Sequence, residues 1–229
     1  MPLVSKGRAL ALLVLFYLLA CGMSVAAISL AARTPADSPA ELLANPWLLI
    51  AKFGPSLAGL IVAAVIGRDR LAALLADVVV VRDPLALIGW GVAFPAAVTL
   101  AAAFIGAQVH APPLATRPID LTVMGHALEF IGLRTFLGGG LGEEIGFRGV
   151  ALPLLLLLTG PRRAAVILGL AWGLWHAPAL FGKGPLIWVA QIVLTTSISV
   201  FFAYVWVRVR NGLPIVILMH GALNGWTLI

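Results

Sequence analysis

The chain has 229 residues, of which 62% are hydrophobic and only 10% charged, with a formal net charge of +6. A mean hydropathy of +1.08 excludes an ordinary soluble domain, and basic residues scattered between apolar runs exclude nucleic acid as a partner. Cys21 is the only cysteine, which excludes an intramolecular disulfide and a multi-cysteine metal site.

Lys6 and Arg8 precede an apolar run over about 9–31, long enough to cross a bilayer as a helix. It exceeds the h-region of a signal peptide, and further spans follow. A polar connection with Pro35 and Pro39 leads to a second span, Pro46 to Gly67, with Lys52 near its start and able to snorkel to the interface. Residues 68–83 place Leu71, Leu74 and Leu75 at helical spacing among charges, which predicts a short interfacial helix. The third span runs from Pro84 to about Val109, and a proline-rich loop holding His110 returns the chain to the membrane. His110 is read as a solvated loop residue.

The fourth span is expected from about Asp120 towards Arg148, loosened at Gly138–Gly140. Val150–Thr159 is expected as a re-entrant or tilted continuation. The fifth span follows Arg162 and Arg163 to about Leu180, the sixth covers about 185–207, and the seventh starts near Pro214. With the N-terminus inside, nine Lys or Arg fall on the cytoplasmic side and three opposite, a strong positive-inside bias. The fold class is therefore all-α: a polytopic transmembrane bundle of about seven spans, N-terminus cytoplasmic, forming one integral membrane domain over 1–229.

Ionisable groups within such spans are costly and mark function. Glu144 and Arg148 are four apart and share a helix face, so they pair. Glu143 points about 100° away and is left to face a cavity, where an unpaired carboxylate suits acid–base work. Trp172 and His176 are four apart on the fifth span, and His220 and Asn224 on the seventh. Amide hydrolysis needs a base to activate water and donors for the oxyanion. Glu143 with His176 fits the first need, His220 with Asn224 the second. Trp172 is read as packing. Glu129, His126 and Arg134 form a second polar set, read as a Glu129–Arg134 pair, with an access path as the alternative. Gly138, Gly142 and Gly146, Gly169 with Gly173, and Gly221 with Gly225 have the spacing that lets membrane helices approach closely, which supports convergence of the three polar segments.

The ordered set Glu143-Glu144-Ile145-Gly146-Phe147-Arg148, Trp172-Gly173-Leu174-Trp175-His176 and His220-Gly221-Ala222-Leu223-Asn224 resembles the EExxxR, FxxxH and HxxxN motifs of the type II CAAX prenyl endopeptidases and bacteriocin-processing proteins, the Abi or CPBP family. The resemblance covers about residues 140–226. Trp172 stands where phenylalanine is usual, which reads as a mild change. The resemblance implies an intramembrane endopeptidase in which Glu143 and His176 activate water, His220 and Asn224 hold the oxyanion, and Glu144 and Arg148 orient the site. It implies a peptide or prenylated protein as substrate and no cofactor. Zinc on Glu143, His176 and His220 is the alternative, although HExxH is absent.

Two other functions compete: a non-catalytic scaffold or immunity protein that keeps the polar cluster structurally, and a proton-coupled transporter. The expected setting is a bacterial inner membrane. The observation that separates these readings is whether Glu143, His176, His220 and Asn224 face one water-accessible cavity open to the cytoplasm.

Overall fold

The computed structural model describes residues 4–34, 45–109, 129 and 131–226. Every regular element among them is helical, and four of the helices are long and apolar enough to cross a membrane. The protein is an integral membrane helical bundle.

Local chemistry sets the helix starts. Helix α1 (Lys6–Ala31) begins at Ser5, whose hydroxyl accepts from the Arg8 N–H at 3.3 Å. Helix α2 (Pro46–Ile66) begins at Asn45, which accepts from Trp47 N–H at 2.9 Å. Pro46 takes the first helical position, where no N–H is needed. After the interfacial helix α3 (Arg68–Val79), where only Leu74 is buried, Asp83 caps Ala86 and Pro84 opens α4 in the same way. Helix α4 runs through Pro84–Ile88, a π-helical turn at Gly89–Ala93 and Phe94–Val109.

The fourth span departs from the sequence reading. A helical stretch at 131–136 stops at Leu137 and Gly138, and Gly138 is extended with φ −121° and ψ −151°. A new helix, α5, then runs without a break through Gly139–Gly146, a π-helical turn at Phe147–Ala151 and Leu152–Leu158. The carboxylates thus lie near the start of a span, not its end, and Val150–Thr159 is the helix itself rather than a re-entrant piece. The triple glycine ends one helix instead of bending it, because the extended backbone at Gly138 interrupts the ladder. Irregular backbone at this depth is tolerated where it lines a cavity. Helix α6 (Pro161–Trp175) is also shorter than expected: His176 is its C-cap, and a 3₁₀ turn at Ala177–Leu180 holds Pro178. Helices α7 (Pro185–Arg208) and α8 (Leu213–Trp226) complete the bundle. His110 and His126 lie outside the described residues.

Helix α1 shows how a chain apolar on all sides chooses its inner face. Ala9, Leu12, Phe16 and Ala20 are buried, while Leu10, Val14 and Leu18 are exposed to the lipid side. Size and shape, not polarity, decide which stripe packs. Close approach depends on glycine at particular crossings. A Cβ on Gly146 would collide with the Pro55 carbonyl, and one on Gly59 would lie 2.7 Å from Gly146 Cα, so α2 and α5 touch backbone to backbone. A Cβ on Gly169 would sit 2.6 Å from Thr196 Cα, and one on Gly173 3.1 Å from Ile192 Cα. Gly142 and Gly146 therefore seat the carboxylate helix against α2, and Gly169 and Gly173 seat the His176 helix against α7, while Gly221 packs on Thr135 beside the start of α5. The approach of α5 to α8 rests on Gly140, where a Cβ would meet the Ile217 carbonyl at 2.6 Å.

Antiparallel succession gives the bundle two unlike ends. One holds the start of α1, the end of α2 and the turn before α8. There Arg8 donates to the Val65 carbonyl at 3.4 Å, Arg70 to the Gly149 carbonyl at 2.6 Å, and Asn211 to the carbonyls of Asp77 and Val80. Lys6, Arg8, Arg68, Arg70, Arg162, Arg163 and Arg208 cluster at this end. The other end holds the end of α1, the start of α2, the start of α5 and the end of α6.

Candidate active site

Glu144 and Arg148 sit on one face of α5, one on each side of its passage into the π-helical turn, and both side chains are wholly buried. Arg148 donates to Glu144 Oε1 at 2.9 Å. Its guanidinium carbon lies 4.6 Å from the Trp172 ring and 5.1 Å from the Phe202 ring. Two aromatic faces thereby replace much of the water that the cation gives up. The same Glu144 Oε1 takes a second partner, His220 Nδ1, at 2.7 Å. Glu144 thus joins α5 to α8 and fixes the imidazole of His220. With Nδ1 donating to the Glu144 carboxylate, Nε2 is the free ring nitrogen: an acceptor when the ring is neutral, a donor when it is protonated.

Glu143 points elsewhere, as the helical offset requires. Its Oε2 accepts from the Trp172 indole N–H at 2.6 Å. A Cβ placed on Gly139 would collide with His220 Nε2 and lie 2.9 Å from Glu143 Oε1. The missing side chain of Gly139 therefore leaves a small space that the free oxygen of Glu143 and the free nitrogen of His220 both border.

His176 Nδ1 lies 2.8 Å from the Trp172 carbonyl oxygen. A carbonyl only accepts, so Nδ1 carries the hydrogen and Nε2 holds a lone pair in the neutral ring. Trp172 is thus the hub of the site. Its indole N–H holds Glu143, its carbonyl holds His176, and its ring covers Arg148 and packs edge-on to His220 at 5.4 Å between centroids. Reading it as packing missed the indole hydrogen bond to Glu143. The signal available was its type: among residues of that size only tryptophan carries an N–H donor on an aromatic ring.

Glu143, His176 and Asn224 line one cavity of about 300 Å³, together with Gly138 and Gly139. His220 stands behind Gly139 and borders the same space. The four sequence-derived residues are therefore gathered at one place. The cavity lies at the end of the bundle opposite the basic cluster, whereas an opening to the cytoplasm was expected. The cause is the late start of α5, which moves the carboxylates to the other end of the span. Arg134 also lines this cavity and makes no ion pair with Glu129 among the described residues, whose ion pairs are Glu144–Arg148 and Glu144–His220. The alternative of an access path fits Arg134 better. No three His, Cys, Asp or Glu side chains gather closely enough among the described residues to hold a metal ion.

A family model described as Rce1-like, for type II CAAX prenyl endopeptidase Rce1-like proteins, matches residues 127–226. Over this segment the chain is similar to the Rce1-like family. The match spans α5 to α8 and contains every residue of the carboxylate, imidazole and amide set, while α1 and α2 supply the wall on which the Rce1-like segment rests. A comparison with curated proteins finds no match.

Proposed function

We propose that this protein is an intramembrane endopeptidase that cleaves a peptide or membrane-associated protein with a water activated by Glu143. The observation that carries the reading is the space over Gly139, bordered by Glu143 Oε1 and His220 Nε2 and opening on a cavity that Asn224 and His176 also line.

Protein groups supply each step. A water between Glu143 Oε1 and His220 Nε2 gives one proton to Glu143, and its oxygen adds to the peptide carbonyl carbon. Asn224 and the first-turn N–H groups of α5, whose N-cap Gly138 offers no side-chain cap, are donors for the resulting oxyanion. The C–N bond then breaks, and the amine leaves with the proton that Glu143 held. His176, oriented by the Trp172 carbonyl, keeps Nε2 for a proton of the reacting groups. Glu144 and Arg148 touch no reacting atom and act by holding His220.

The test uses purified protein in lipid nanodiscs and a panel of quenched-fluorescence peptides, each with and without a prenylated cysteine. Wild type is expected to cleave some of the panel. Glu143→Ala and His176→Ala are each expected to lower kcat/KM by about 100-fold or more while the variants insert and fold. Variants that cleave at the wild-type rate would return the polar cluster to a structural role.

A further inference from the structure

Two cations share the cavity with Glu143, and the hydrolytic reading gives neither of them a task. Lys52 and Arg134 are half-buried and both line it. Glu143 is the sole carboxylate among the described residues that line it, and it already accepts from Trp172. Neither cation takes part in an ion pair among the described residues. Lys52 lies close enough to Arg134 and to Glu143 to feel both charges, so two like charges share the neighbourhood of one carboxylate among the described residues.

The backbone fixes both cations relative to the reacting groups. A Cβ on Gly142 would meet the Lys52 carbonyl at 2.8 Å, and one on Gly138 the Arg134 carbonyl at 2.6 Å. These glycines flank Gly139 and Glu143 on the chain. Lys52 therefore rides on the α2 wall pressed against the helix that carries Glu143, and Arg134 on the segment that turns into it. Snorkelling to the interface, the expected fate of Lys52, does not account for its place on the cavity wall. Two half-buried cations that make no ion pair among the described residues attract an anion.

We propose that Lys52 and Arg134 form an anion subsite that holds a carboxylate of the peptide substrate within a few residues of the scissile bond. The carboxylate is either the free C-terminus or an acidic side chain. The proposal rests on the endopeptidase reading for its ligand, but not for its binding test.

Four peptides of one sequence distinguish the sources: free acid or amide at the C-terminus, each with Asp or Asn near the cleaved bond. In neutral-lipid nanodiscs the wild type is expected to favour one anionic form by about tenfold to a hundredfold in kcat/KM, chiefly through KM. Lys52→Met with Arg134→Met is expected to abolish that preference, bringing the anionic peptides to the kcat/KM of the neutral one. Equal use of all four peptides by wild type, or a preference that survives in the double variant, overturns the subsite. If no peptide is cleaved, the endopeptidase reading fails on its own, and the subsite is judged by fluorescence anisotropy of the same peptides on Glu143→Gln protein. Tighter binding of an anionic form that is lost on adding Lys52→Met and Arg134→Met supports it, and equal binding overturns it. Native mass spectrometry after exchange into phosphatidylglycerol supplies the last arm. An anionic lipid held through Lys52 and Arg134, with no peptide preference, would assign the cations to a headgroup and overturn the proposal.

Discussion

The indole Nε1 of Trp172 lies 2.6 Å from Glu143 Oε2, so the presumed base is aimed by a donor from a different helix. Phenylalanine, the residue that the family motif would place here, fills similar space but has no N–H. Trp172→Phe is expected to keep the packing against Phe147 and Phe202 and lose the aim of the carboxylate. The loss should fall on kcat, by about 10- to 100-fold, because a small misplacement of a reacting group costs on this order. Steady-state kinetics on the best peptide check it; a rise in KM with kcat unchanged would give Trp172 a role in substrate packing instead.

Glu144 and Arg148 should behave as one unit. Each is wholly buried, and removing one strands the other in a low-dielectric interior, at a cost of about 3–5 kcal/mol. Arg148 Nε and NH2 and Glu144 Oε2 already lack partners among the described residues, so little remains to compensate. Glu144→Leu and Arg148→Leu should each lower the midpoint of thermal unfolding in detergent more than the double replacement does. Glu144→Leu and the double variant should be inactive, since His220 loses its anchor in both, and Arg148→Leu should be impaired, since Glu144 loses the cation that orients it. A double variant less stable than either single one would contradict this account.

Gly139 separates a catalytic space from a packing requirement. Gly139→Ala puts a methyl group against His220 Nε2 and 2.9 Å from Glu143 Oε1, where the water of the proposed reaction would sit. Cleavage should fall about 100-fold or more, with the unfolding midpoint far less affected than in Gly146→Ala, whose methyl group meets the Pro55 backbone. Gly7→Ala, with nothing within 4 Å of the added carbon, is the neutral control for both assays.

The sequence made the helices legible because hydropathy and caps are local properties. The runs opening at Ser5, Asn45 and Asp83 start where their side chains cap them. The separation of Glu143 from Glu144 followed from the 100° advance per residue, and so did the pairing of Glu144 with Arg148. What stayed hidden depends on which helices meet. Whether Gly138 bends or ends a helix is decided by the partners around it, among them the Arg134 carbonyl and, for its neighbour Gly140, the Ile217 carbonyl. Nothing in the spacing of His220 says that Nδ1 is taken by Glu144. Nor does it say that Trp172, on a third helix, would hold both Glu143 and His176. Lys52 stands far before Glu143 in the chain and is joined to the motif by the crossing of α2 over α5.

The late start of α5 also bears on the side from which the proposed substrate would enter. The basic cluster lies at the end of the bundle opposite the cavity, and Lys and Arg are retained on the cytoplasmic side of membrane proteins. The Glu143 cavity should therefore open on the non-cytoplasmic face. Cys21 is the single cysteine, so a Cys21→Ala background allows one reporter thiol at a time. Lys183→Cys lies on the exposed turn between α6 and α7 at the cavity end, and Gly160→Cys on the exposed turn between α5 and α6 at the basic end. In intact cells a membrane-impermeant maleimide should label Lys183→Cys and spare Gly160→Cys until the membrane is opened. The opposite pattern would place the cavity on the cytoplasmic face, and the charge bias would then have failed as a guide to this chain's orientation.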